Sequence, residues 1–261
     1  MDLARDEWLA LAISRLIRDG DRVSIGTNLP AARAGSLLAK LTHAPEATLL
    51  LGMAEVRDLA PGTSFMTLAG GVDSATTHHR LEEFFGHAEE VDFFVVGALE
   101  IDPFGNTNLL GIGPDSEPLG ERYRQRSLIG PGTIGTATMT TYAGRYALFC
   151  PDHQRRTFVE SLSFRSTCGW GSGGDARLAL GLPGGGPVAC VTDLGVFDYP
   201  APGHRMRLHR PFPGVGFGDI QGRTGFEVAR PGKLQEFALP SRLEFRTLRE
   251  VVDPEGRLRR P

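Results

Sequence analysis

Glycines and histidines are the residues of this chain whose spacing first suggests chemistry. Gly130-Pro131-Gly132-Thr133-Ile134-Gly135 matches G-x-G-x-x-G, whose glycines permit a tight turn and bring a pyrophosphate against a helix N-terminus. The setting argues against a dinucleotide: the motif lies in mid-chain, and Thr136 to Thr141 after it is crowded with β-branched threonines where a helix should open. What remains is a glycine-rich loop able to aim backbone N–H groups at an acyl or phosphate oxygen. His204 and His209 are five apart and on a strand would face opposite ways, while His78, His79 and His87 lack a cysteine or carboxylate at ligand spacing, so no metal site is expected. No G-x-S-x-G elbow occurs, which leaves a serine hydrolase without support. Asp152-His153 beside Arg155-Arg156 offers acid and base groups, but it reads more simply as a polar turn before an exposed strand.

Composition narrows the classes. With 261 residues, 41% hydrophobic and 23% charged, the chain has the make-up of a folded globular protein and the length of one large domain or two small ones, at about 100 to 200 residues each. We take residues 1–261 as a single domain, since no linker-like stretch interrupts them. A net charge of -3 gives no basic footprint for nucleic acid. The basic residues are nearly all arginine, Lys40 and Lys233 being the exceptions; this is either a compositional habit or the mark of a few arginines that grip carboxylate or phosphate bidentately. The acidic start Met1-Asp2-Leu3-Ala4-Arg5-Asp6-Glu7 lacks the pattern of a signal peptide, and the apolar runs Ala47 to Ala54 and Phe93 to Leu99 are too short to cross a bilayer. Three scattered cysteines, Cys150, Cys168 and Cys190, suggest reduced thiols and a cytoplasmic protein without membrane contact.

The elements that must carry any site follow from periodicity. Apolar residues recur at helical spacing from Leu3 to Ile17 and again from Leu29 to Leu41, with a short β-branched strand from Arg22 to Gly26 between them and a buried strand from Ala47 to Leu51 after them. Further on, Leu81 to His87 reads as a short helix, and Asp92 to Val96, Tyr146 to Cys150, Thr157 to Phe164 and Pro187 to Thr192 as strands. Gly195 to Tyr199 and Arg205 to His209 suggest a hairpin, and Ser241 to Val252 a helical piece. Alternating helices and strands predict an α/β fold with an open, mostly parallel sheet and glycine loops at strand ends, where such sheets bind ligands.

Several strings, in order along nearly the whole chain, resemble the β-subunit side of the class I CoA-transferase family. They are Gly26-Thr27-Asn28-Leu29-Pro30, Ala44-Pro45, Gly97-Ala98-Leu99-Glu100-Ile101-Asp102-Pro103-Phe104-Gly105-Asn106-Thr107-Asn108, and the Gly130 to Thr136 loop. His153-Gln154-Arg155-Arg156-Thr157-Phe158, Val191-Thr192-Asp193-Leu194-Gly195-Val196-Phe197 and Thr224-Gly225-Phe226-Glu227 continue the register. The resemblance implies an open α/β fold, pairing with an α-type subunit as a heterodimer or α2β2 assembly, and acyl-CoA thioesters as substrates. Coenzyme A then enters as part of the substrate, and no permanently bound cofactor or metal is expected. In transferring members a β-subunit glutamate attacks the thioester and forms an anhydride and then a glutamyl-CoA thioester.

Here the chain departs from the pattern, because the position of that glutamate is Gly52, followed by Met53 and Ala54. Glu55 stands three residues on and could substitute for it only if the loop bends differently; its simpler reading is an ordinary loop or supporting carboxylate. A branch of the family that works without the β-subunit glutamate is the two-subunit hydrolase that opens the last steroid ring as a CoA thioester, its acid/base glutamate lying on the α subunit. This chain looks like that branch at Gly52, at Gly195-Val196-Phe197-Asp198-Tyr199 and at Pro202-Gly203-His204-Arg205-Met206-Arg207. Asp152 to Arg156 and Thr167-Cys168-Gly169-Trp170 look closer to the transferring branch, whereas a decarboxylase-like member with cysteine in place of the glutamate is disfavoured by Gly52. The expectation is therefore a subunit that shapes the pocket for hydrolytic ring opening; the alternatives are a CoA-transferase subunit or a non-catalytic stabilising partner. Thr27, Asn28, Gly52, Met53 and Glu55 are expected to line the reacting centre. Gly97, Ala98, Asn106, Asn108, Gly130, Gly132 and Gly135 are expected in pocket or CoA-facing loops, with turn formation as the alternative role of the two asparagines.

Overall fold

The computed structural model describes residues 2–70, 77–112, 128–133 and 135–260. The chain divides into two compact units, Met1–Val95 with Ala238–Pro261, and Val96–Phe237. Both are α/β. Among the described residues no helix is long and apolar enough to cross a membrane.

In the first unit the chain runs α1 (Arg5–Ser14), β1 (Arg22–Ile25), α2 (Pro30–Thr42), β2 (Thr48–Leu51), β3 (Ala54–Val56), α3 (Thr67–Gly70), β4 (Thr77–His78), α4 (Leu81–Gly86) and β5 (Phe93–Gly97). The strands lie in the order β5-β1-β2-β3-β4. β1 is parallel to both β5 and β2, as a strand followed by a helical crossover must be, and β3 and β4 extend the sheet antiparallel. The predicted helices and strands up to β2 fall where the periodicity places them, shifted by a residue or a few at their ends. Helices α1 and α2 pack closely because residue 35 is glycine: a Cβ there would stand 2.4 Å from the Ala10 carbonyl oxygen. α1 is also fastened by Glu7, which is buried and takes two 2.8 Å bonds from Arg249 near the C-terminus. Lys40 is buried too, its ammonium donating to the carbonyls of Pro45 and Ala47 and so closing the turn from α2 into β2.

The second unit contains the short strands β6 (Glu100–Ile101), β7 (Thr107–Asn108), β8 (Gly111–Ile112) and β9 (Leu128–Ile129), then α5 (Thr136–Tyr142), β10 (Arg145–Cys150), α6 (Ala176–Ala179), β11 (Pro187–Thr192), β12 (Gly195–Asp198), β13 (Arg207–Pro211) and α7 (Phe217–Arg223). β10 and β11 are parallel, and β12 and β13 continue antiparallel as the expected hairpin. Back in the first unit, α8 (Arg242–Thr247) is followed by a π-helical turn over Leu248–Val252.

Two expectations fail here for identifiable reasons. Thr157 to Phe164 is not a strand. It makes only an isolated bridge, Phe158 with Ile101, before Ser163 turns to donate both its backbone N–H and its hydroxyl to the buried Glu100 carboxylate. Conversely, the threonine-rich segment after the glycine loop is the helix α5. Thr140 and Thr141 return their hydroxyls to the carbonyls of Thr136 and Ala137 one turn back, which satisfies them inside a helix their β-branching disfavours.

Candidate functional site

The register of β1 against β2 builds the first part of the site. Ile25 pairs with Leu51, so Gly26-Thr27-Asn28 and Gly52-Met53 leave neighbouring parallel strands at the same carboxyl edge. Open α/β sheets bind ligands at that edge. Thr27, Asn28, Gly52 and Met53 are all exposed there. Asn28 adopts φ 58°, a left-handed conformation asparagine tolerates better than most residues, and α2 begins immediately beyond it.

Gly52 and Met53 are the two central residues of a tight hairpin, since Leu51 pairs with Ala54. Gly52 has φ 63° and Met53 does not have a positive φ, the pattern of a turn whose first central residue should be glycine. A Cβ on Gly52 would meet nothing within 4 Å. The position is thus open space at the sheet edge.

Glu55 lies two residues past the hairpin on β3, opposite Leu50 and Thr77, and is buried. It is fully engaged: Arg57 Nε donates to Oε1 at 2.6 Å, while His79 Nε2 and Arg22 Nη2 stand 3.2 and 3.4 Å from Oε2. Burial alone would push this carboxyl up, but the Arg57 and His79 hydrogen bonds and the Arg22 charge outweigh it and hold Glu55 below the ordinary glutamate range. The group borders a cavity of 210 Å³ whose lining also includes Glu83, Phe84, His87 and Glu90. It is an anion held between two arginines and a histidine.

The second group of predicted residues lies in the second unit. Gly97 and Ala98 are half-buried at the end of β5. Asn106 and Asn108 are completely buried, and their amides are spent within the chain. Asn106 Nδ2 donates to Asp102 Oδ2 at 2.6 Å and to the Gly171 carbonyl at 2.7 Å, and its Oδ1 accepts from the N–H groups of Gly169 and Gly171. Asn108 likewise bridges Glu100 Oε2 and the Gly111 carbonyl while accepting from the Leu110 N–H. The turn-forming role is therefore the one the geometry gives both asparagines: they shape the loops from inside. Gly130 is required by close approach, a Cβ there meeting the Leu109 carbonyl oxygen at 2.0 Å. Gly132 and Gly135, at φ 91° and 75°, turn the chain into α5, and Gly132 faces open space; Ile134 lies outside the described residues.

His153 is a core residue. Its ring nitrogens meet the hydroxyls of Thr192 and Thr224 at 3.2 and 3.0 Å, and its face stacks 3.7 Å from Phe158. Burial, reinforced by the Arg223 charge, brings its pKa down to about 3 and keeps it neutral. Cys150, Cys168 and Cys190 are free thiols, and burial pushes Cys150 up to about 12. His204, far from acting with His209, stacks on Trp170 at 3.7 Å.

Two arginines have places that the sequence motifs do not announce. Arg177 is buried and donates to the carbonyls of Gly184, Cys168, Gly169 and Thr140, tying the glycine loops of the second unit together. Arg33 sits one turn into α2 at the exposed edge of the first unit. Its signal was in the sequence: it is the single charge in the small apolar run from Pro30 to Ala39.

Comparison with known proteins gives this geometry a family. The family model described as Coenzyme A transferase matches residues 7–221. The chain is 29% identical over 252 residues to a subunit of 3-oxoadipate CoA-transferase from Pseudomonas knackmussii, covering 94% of this chain and 92% of that one. It is equally 29% identical to the cholesterol ring-cleaving hydrolase IpdB subunit of Mycobacterium tuberculosis, covering 97% and 96%. The crystal structure of glutaconate coenzyme A-transferase from Acidaminococcus fermentans superimposes with a TM-score of 0.83 at 25% identity, covering 100% of this chain and 98% of that one. An α/β chain with an open glycine hairpin at its strand ends, matched by the family model over most of its length and by relatives end to end, belongs to the Coenzyme A transferase family.

Proposed function

We propose that this chain is the β subunit of a heteromeric enzyme that acts on an acyl-CoA thioester without a nucleophilic carboxylate of its own, and that the reaction is hydrolytic carbon–carbon opening of a ring-containing, steroid-type acyl-CoA. The observation that carries this reading is the pair Gly52 and Glu55. The position that the family resemblance matches to the transferases' glutamate is a glycine in open space, and the nearest carboxylate of this chain in sequence is held among Arg22, Arg57 and His79. Neither Gly52 nor Glu55 then supports covalent exchange of CoA through this subunit, which favours a reaction that does not need it.

Ring hydrolysis asks less of this chain. Water adds to a ring carbonyl, and the carbon–carbon bond breaks to leave a carboxylic acid and a carbanion-equivalent enolate that takes up the proton. The glutamate that handles the protons belongs to the α-type partner, and CoA stays attached throughout. The exposed backbone around Asn28 and Gly52 then serves as the wall of a pocket, with N–H groups for the developing oxyanion and room for a bulky ring or a water where a carboxylate would otherwise stand.

The test is mass spectrometry of products from the chain co-purified with its α-type partner, given a ring-containing steroid-derived acyl-CoA with and without a carboxylic-acid acceptor. The expected product has gained one water with CoA still attached. CoA appearing on the acceptor would instead make the complex a transferase, and equal turnover by the partner alone would reduce this chain to a stabilising role.

A further inference from the structure

Arg33 differs from the arginines that hold the fold together. Arg15, Arg22, Arg57, Arg207 and Arg249 each meet a carboxylate, and Arg177 is ringed by carbonyl oxygens. Arg33 has neither arrangement among the described residues. Its side chain leaves α2 among the buried Ala31, Ala32, Ala34 and Leu37, and its Nε donates to the Phe65 carbonyl at 2.9 Å. That bond fixes the plane of the guanidinium and leaves both Nη groups without a hydrogen bond or ion pair among the described residues. These Nη groups are not among the fully buried, unpartnered polar atoms of the described residues, which are Ser14 Oγ, Arg22 Nε and Tyr199 Oη, so solvent reaches them.

The electrostatics agree with the geometry. Burial lowers the Arg33 pKa, and no carboxylate among the described residues opposes it. A half-buried, uncompensated charge is a cost to the free protein that an arriving anion removes. Its place is informative: α2 starts directly after Thr27-Asn28, at the edge shared with Gly52-Met53, so Arg33 stands one helical turn from the proposed reacting centre.

We propose that Arg33 is a specificity-determining residue which binds a free carboxylate carried by the acyl group of the substrate; this rests on the acyl-CoA reading given above. A guanidinium with one edge tied to a carbonyl and two Nη groups free presents paired donors that match the two oxygens of a carboxylate. A phosphate, with its larger charge, would call for further cations, and no second charged group acts on Arg33 among the described residues. Met66, next in sequence to the Phe65 that fixes Arg33, is an exposed apolar side chain, as is Met53 in the hairpin after β2.

The experiment is equilibrium binding to the assembled complex of this chain with its α-type partner, using glutaryl-CoA, pentanoyl-CoA and free CoA. The two thioesters have acyl chains of equal length and differ in the terminal carboxylate. The wild-type complex is expected to prefer glutaryl-CoA by ~10-fold or more, as a charge-assisted pair provides. Arg33→Gln is expected to erase that preference while leaving pentanoyl-CoA and free CoA unchanged, and Arg33→Lys to keep part of it. Equal weakening of all three ligands would assign Arg33 to the CoA phosphates or to packing and overturn the proposal, as would a wild-type complex indifferent to the carboxylate. If neither thioester nor CoA binds the wild-type complex, the acyl-CoA reading itself falls and takes this proposal with it.

Discussion

Replacing Glu55 by glutamine separates its two conceivable roles. A carboxylate that reacts would be missed in turnover; one that only neutralises Arg22, Arg57 and His79 would be missed in stability. Breaking a fully buried ion pair costs about 3–5 kcal/mol, and an exposed pair about 0–1 kcal/mol. Glu55 is at the buried limit with its side chain 3% exposed, but Arg57, Arg22 and His79 are 58%, 28% and 26% exposed, so water screens the cations left behind. Glutamine also keeps a carbonyl oxygen for one of the three donors. The expected loss for Glu55→Gln is therefore about 1–3 kcal/mol, read by urea unfolding of wild type and variant side by side. Because Glu55 is held below its ordinary value in the folded protein, its contribution is complete above the unfolded glutamate pKa of about 4.3 and is lost as the pH falls through the lower folded value. The gap between wild type and variant should accordingly be flat near neutrality and close in acid. Turnover per folded complex should persist. A variant that unfolds like wild type yet forms no product would refute the reasoning and make Glu55 a reacting group.

Further outcomes follow from the same geometry. Gly52→Ala should cost about 1 kcal/mol, since the added Cβ meets open space and only the left-handed backbone resists it, and Gly52→Asn should cost less; equal losses in denaturant unfolding would show that something other than φ is at issue. His153 is neutral when folded, with its pKa depressed to about 3, so its contribution is complete above the unfolded histidine value and is lost as the pH falls from about 6.5 toward 3. Unfolding free energy over that window should fall by up to about 1.4 kcal/mol per pH unit more steeply in wild type than in His153→Asn, and parallel curves would contradict the assignment. Asn106→Ala strands the Gly169 and Gly171 N–H groups, the Gly171 carbonyl and one Asp102 oxygen, and should cost about 3 kcal/mol or more and open the loop to limited proteolysis. A near-neutral result there would mean water replaces the amide freely.

Local patterns in the sequence were enough for much of the architecture. The apolar periodicity before residue 52 is read through neighbours three or four positions away on a helix and two away on a strand, so α1, β1, α2 and β2 were legible, and with them the edge where Thr27, Asn28, Gly52 and Met53 emerge. Thr157 to Phe164 and Thr136 to Thr141 depart from their local composition, each for its own reason. Strand-like composition does not make a strand where no partner strand runs alongside, and β-branched residues do enter a helix when their hydroxyls find a carbonyl one turn back.

The sequence by itself determined the order of α and β elements as far as β2, the run of strings that resembles the CoA-transferase family, and the glycine at position 52. The tertiary structure decided what the polar groups are for. Glu55 meets Arg22 and His79 from 33 and 24 positions away, Asn106 spends its amide on glycines more than sixty positions along, and Arg33 is left without an anion because no carboxylate among the described residues is folded against it. Whether a charge or an amide is satisfied depends on which distant backbone and side chains packing brings within about 3 Å, and that sum is taken over the fold rather than along the chain.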